Sequence, residues 1–133
     1  MEELIQSLDL GEMNYYYHIT SHGLGDDILE NGLYLENKDL SSTTVKLSND
    51  ILENFENYCK DEYVDNLVKR QEMVIIGVPK DEEDYLVEKA YIPKKIDDRV
   101  LNYFINSENI LGYIDLETLE VIYNLDYIHN FTL

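Results

Sequence analysis

Apolar and polar positions along the chain follow two different periods, and the switches between them mark the elements. Residues 2–9 put Leu4, Ile5 and Leu8 on one helical face, which predicts a short amphipathic helix ended by Gly11. The stretch YYYHIT, residues 15–20, reads as a strand with Tyr15, Tyr17 and Ile19 on one face and Tyr16, His18 and Thr20 on the other. Asp26 or Asp27 can cap a single helical turn carrying Ile28 and Leu29, and Gly32 is placed to end it in a left-handed conformation. NGLYL then turns back towards the core. After the polar loop ENKDLSST, Val45 and Leu47 alternate with Thr44, Lys46 and Ser48 as in a half-buried strand.

From Asp50 the period becomes helical. Ile51, Leu52, Phe55, Tyr58, Cys59 and Leu67 recur on one stripe, so residues 50–69 are expected to form the longest helix, capped by Ser48 to Asp50. MVIIGV, closed by Pro79, suits a strand buried on both faces. The acidic turn KDEED follows. In YLVEKAYI, alternation puts Leu86, Glu88, Ala90 and Ile92 on one face and Tyr85, Val87, Lys89 and Tyr91 on the other. Residues 96–106 are ambiguous, with a helical turn expected around DRVLNYF. NILGYID and EVIYN read as strands joined by LETL, a C-terminal hairpin. This order predicts a single α+β domain over residues 1–133, built on antiparallel sheets.

Composition narrows the class. A hydrophobic fraction of 44% supplies a packed core, so the chain does not belong with disordered sequences. Cys59 is the single cysteine and sits on the apolar stripe, the place of a core residue. The N-terminus lacks a basic and apolar export signal and no apolar run reaches membrane-spanning length, so the expected location is cytoplasmic with no membrane contact. Twenty-eight acidic against 10 basic residues give a net charge of −18, which repels nucleic acid and anionic membranes and reads as a solvated acidic surface ahead of mimicry of DNA or capture of a basic partner protein. The acids are spread along the chain, so charge specifies no particular partner.

Chemistry-bearing motifs are few. There is no Gly-rich phosphate loop, no metal-type Cys/His cluster and no nucleophile motif around Cys59 or any serine. His22 and His129 read as incidental. Glu88 shares a face with three apolar residues, an awkward place for a charge unless that face opens into a cleft. His18 and Thr20, two positions apart in a strand, share a face and can meet one ligand. Each also has a structural reading: His18 as a hydrogen-bonded strand residue, Thr20 as an ordinary strand residue, Ser48 as a helix cap, Glu88 at a sheet edge.

YYYHITS followed by ILENGLYL resembles the start of ADP-ribosyltransferase-like domains, especially the DNA-modifying ADP-ribosyltransferase toxins and their relatives. TVKLSNDILENF is similar to that family's second strand and long helix, YLVEKAYIPKKI to the strand bearing its catalytic Glu, and SENILGYID to the strand after it. The resemblance implies two small, mostly antiparallel sheets packed with one long helix and short helical turns around a cleft. It also implies NAD as substrate, with no metal. His18 and Thr20 would line the cleft, Ser48 would lie close to the nicotinamide, and Tyr34 would offer an aromatic platform. Glu88 would hydrogen-bond the nicotinamide ribose and stabilise an oxocarbenium-like transition state, as a carboxylate does in glycoside cleavage. Leu86 stands where arginine-modifying members carry Glu or Gln, so transfer to arginine is not implied. The alternatives are a non-catalytic, inhibitor- or immunity-type protein of the same fold that engages a basic partner, and an RNA 2′-phosphotransferase-like reaction.

Overall fold

The computed structural model describes residues 1–35, 45–65, 70–82 and 103–127. In chain order the elements are α1 (Glu2–Gln6), β1 (Met13–Ser21), α2 (Leu24–Asn31), β2 (Leu33–Leu35), β3 (Val45–Lys46), α3 (Asn49–Glu53), α4 (Phe55–Asp65), β4 (Gln71–Pro79), β5 (Tyr103–Ile105), β6 (Ile110–Asp115) and β7 (Val121–Tyr123). Five strands form one antiparallel sheet in the order β3-β1-β4-β6-β7, and β2 pairs with β5 in a separate two-stranded ladder. The class is α+β.

The centre is β4, whose residues from Glu72 to Val78 are all buried, as an apolar run with neighbours on both sides requires. It pairs with β1 from Met13↔Pro79 to Ser21↔Gln71. Period-two alternation along both strands sorts the side chains into two cores. On one face Tyr15, Tyr17, Met73, Ile75, Leu111 and Ile114 pack with Leu4 of α1, Leu52 of α3, and Phe55 and Cys59 of α4. The other face gathers Tyr16, Val74, Ile76, Ile110 and Tyr113 with Ile28 of α2, Leu33 of β2 and Ile105 of β5. Burying each large apolar side chain contributes roughly 1.5–3 kcal/mol, so both sides of the sheet are major terms in stability. The two-faced reading of residues 15–20 therefore holds.

Several local expectations change. α2 is longer than one turn and starts at Gly23 (φ 93°), not at Asp26 or Asp27, both of which lie inside its first turn. Gly32 ends it with a positive φ of 88°, but its ψ of 174° is extended and not left-handed helical. The helix expected over 50–69 is two helices over the described residues. At Asn54 the backbone (φ −136°, ψ 48°) leaves the helical region and α4 starts afresh. Ser48 does cap the first of them, its hydroxyl accepting from the Ile51 N–H at 3.3 Å. Val45 faces solvent and Leu47 carries the burial of its segment. Tyr103–Ile105, in the ambiguous stretch with a helical turn expected around DRVLNYF, is strand β5, because its backbone pairs with β2 at Leu33↔Ile105. Residues 85–92 lie outside the described residues.

β6 and β7 form the expected hairpin, closed through Asp115, whose Oδ1 accepts from the Glu117 and Thr118 N–H groups. Opposite Ile75 and Ile76 the β6 register slips, since Gly112 pairs with Ile75 and Ile110 with Ile76, leaving Leu111 as the extra residue of a bulge. Gly112 sits so close to β7 that a Cβ there would lie 2.2 Å from the Ile122 carbonyl oxygen.

Cys59 is fully buried among these contacts. Burial, followed by the negative charges of Glu62 and Glu56, pushes its thiol up to about 12. Thiolate is the reactive form, so in the folded protein alkylation at pH 8 is expected to be slower than for a free thiol by orders of magnitude and to rise together with unfolding by urea. A folded-state rate close to that of a free thiol would contradict the packing of α4.

Candidate functional site

β1 projects His18 and Thr20 onto the face that α2 and the β2–β5 ladder cover. Register carries each of them across the sheet: His18 lies opposite Val74, which lies opposite Tyr113, and Thr20 lies opposite Glu72, which lies opposite Asp115. Val74 and Tyr113 belong to the α2-side core, so His18 and Thr20 point to that side too. His18 is buried, at 4% exposure, and Thr20 is half-buried nearer the end of the strand. The face thus grades from apolar at Tyr16, through His18, to polar at Thr20.

The polar end has its own construction. Glu72 is 2% exposed, yet its carboxylate is fully engaged: Oε1 accepts from the Gly23 N–H at 3.1 Å and the Gly25 N–H at 2.8 Å, and Oε2 faces His22 Nδ1 at 3.3 Å. A side chain from the central strand therefore caps α2, whose own N-cap residue, a glycine, has none to offer. This capping needs close approach. A Cβ on Gly25 would meet the Tyr113 ring at 2.6 Å and Glu72 Oε1 at 2.7 Å. Tyr113 in turn donates its hydroxyl to Asp26 Oδ1 at 2.8 Å, tying the first turn of α2 to β6.

Beside Glu72 on the next strand stands Asp115, at 6% exposure. Desolvation pushes its carboxyl up, but hydrogen bonds from Arg70 and from the Glu117 and Thr118 N–H groups outweigh that and hold it below the usual aspartate value. Arg70 reaches Asp115 Oδ2 through Nη2 and Glu117 Oε2 through Nε at 2.9 Å. His22 continues the β1 pairing, its N–H donating to the Arg70 carbonyl at 3.1 Å. Its ring is about half exposed. Ligand atoms of His22, Glu72 and Asp115 all lie within 4.8 Å of one another, so these three are the described residues that could hold a metal ion together.

Of the residues singled out from sequence, the structure brings His18 and Thr20 together. Tyr34 lies on β2, paired with Phe104 in the ladder whose Leu33 and Ile105 pack on the same face. Ser48 sits elsewhere along the sheet. β3 runs antiparallel to β1 and the Leu47 N–H donates to Tyr15, so Ser48 is level with Asn14, four residues or ~13 Å along the strand from His18. Glu88 and His129 fall outside the described residues. Sequence reasoning missed Glu72, Asp115 and the involvement of His22. One signal was present: Glu72 shares the parity of Val74 and Ile76 in a strand buried on both sides, which puts a carboxylate inside.

Among the described residues no helix is long and apolar enough to cross a membrane. No protein-family model, curated protein or solved structure matches the chain.

Proposed function

We propose that the chain binds NAD on the His18 face of the sheet and transfers its ADP-ribose to an acceptor. The observation that carries this reading is the common projection of His18 and Thr20 from β1 towards the side occupied by α2 and the β2–β5 ladder. One imidazole and one hydroxyl, two residues apart, can then contact neighbouring parts of a single dinucleotide. Thr20 is half-buried and His18 buried, so on this reading a ligand enters from the Thr20 end. Glu88 precedes β5 in the chain and supplies the carboxylate that offsets positive charge at the ribose as nicotinamide leaves.

The test is titration with NAD followed by nicotinamide release. NAD is expected to raise Tm, and Glu88→Gln is expected to lower nicotinamide release at least 100-fold with Tm unchanged, as removal of a transition-state charge contact does. No binding at millimolar NAD ends the reading. The net charge of −18 then favours the alternative, salt-sensitive capture of a basic protein that Glu88→Gln leaves intact.

A further inference from the structure

We propose that His22, Glu72 and Asp115 form a binding site for a divalent first-row transition cation, for which Zn2+ is the probe. The site lies at the polar end of the sheet, next to Thr20, and does not require NAD to bind.

Geometry supplies the first argument. His22 Nδ1 and Glu72 Oε2 are 3.3 Å apart, and the Asp115 carboxylate is within 4.8 Å of both. Two ligands bound at about 2.1 Å to one tetrahedral or octahedral ion stand roughly 3–3.5 Å apart, so the first pair already has the needed spacing and the third closes by a small rotation.

Charge supplies the second. Glu72 and Asp115 are direct cross-strand neighbours, both buried, and like charges in that arrangement repel. Glu117 adds a third carboxylate through Arg70. Among the described residues the one fixed positive side chain in the group is Arg70, which bonds Asp115 and Glu117, whereas Glu72 has two backbone N–H donors and the His22 ring. A divalent ion at that point matches the remaining negative charge.

Preorganisation supplies the third. The Gly23 and Gly25 N–H groups hold Glu72 through Oε1 and leave Oε2 directed at His22, and the Glu117 and Thr118 N–H groups fix Asp115 through Oδ1. Such outer contacts orient ligands before an ion arrives. The half-exposed His22 ring gives the ion a path from solvent and leaves room for water as further ligands. Arg70, also partly exposed, can release Asp115 and keep its bond to Glu117. One imidazole with two carboxylates suits Zn2+, Co2+ or Mn2+, whereas Ca2+ and Mg2+ prefer all-oxygen shells.

The experiment compares the intact protein with His22→Ala. Because His22 is half exposed and Glu72 keeps both backbone donors, the variant is expected to fold. Zn2+ at 100-fold its dissociation constant is expected to raise Tm of the intact protein by roughly 5 °C or more and to leave that of His22→Ala unchanged. Co2+ is expected to give a visible ligand-field absorption that the variant lacks. Equal Tm responses in the two proteins would place the ion on scattered surface acids and overturn the proposal, as would the absence of any Zn2+ shift at millimolar concentration.

Discussion

Gly112→Ala is expected to destabilise the protein by about 3 kcal/mol or more, one of the largest effects of any single substitution described. The added methyl would sit 2.2 Å from the Ile122 carbonyl oxygen, about 3.1 Å from the Ile122 carbonyl carbon and 3.1 Å from the Tyr123 Cα. All three are backbone atoms of β7, so no side-chain rotamer can relieve the contact, and overpacking against an immovable neighbour exceeds the usual 1–3 kcal/mol of a tight core. The sheet must part along β6–β7. Urea denaturation followed by circular dichroism measures the effect, and a midpoint within error of the parent would show that the hairpin is not packed as described.

Glu72→Ala is expected to cost about 2–4 kcal/mol, through a different mechanism. Truncation leaves the Gly23 and Gly25 N–H groups at the start of α2 without their acceptor and opens a void beside Gly25. Relief of the repulsion from Asp115 recovers part of the loss. Glu72→Gln keeps an oxygen for the two backbone donors and fills the same volume, so it should retain most of the stability. The ranking Ala well below Gln, read from denaturation midpoints, is the informative result. If Ala and Gln fell equally, charge and not capping would be the main contribution of this side chain.

The sequence showed period best and long-range pairing worst. Alternation alone assigned Tyr15, Tyr17 and Ile19 to one core and Tyr16 to the other, and the continuous apolar run of 73–78 announced a strand covered on both sides. Helix periodicity continued smoothly through Asn54, because Leu52, Phe55 and Cys59 keep helical spacing across the break and pack in the same core. β5 was misread since three residues hold too little pattern to identify a strand whose partner, β2, is about seventy positions earlier. The start of α2 was misplaced for a related reason: local acids were available as caps, but the acceptor comes from Glu72 on another strand. Gly112 was legible in principle, since a glycine inside a buried strand marks a bulge or a close approach of backbone. At the candidate site, strand parity sufficed for His18 and Thr20, while the meeting of His22, Glu72 and Asp115 depends on register among three strands, which no local window contains.

Placing β4 at the centre of the sheet has a consequence for biosynthesis. β1 is made before β4, the longest of its neighbours, which follows it by some fifty residues. A nascent chain shorter than Pro79 carries Tyr15, Tyr17 and Ile19 with that edge unpaired, and the slow closure of so distant a ladder sets the pace of productive collapse. During that interval the excess of acidic over basic residues makes growing chains repel one another, which opposes association through an unpaired β1 edge.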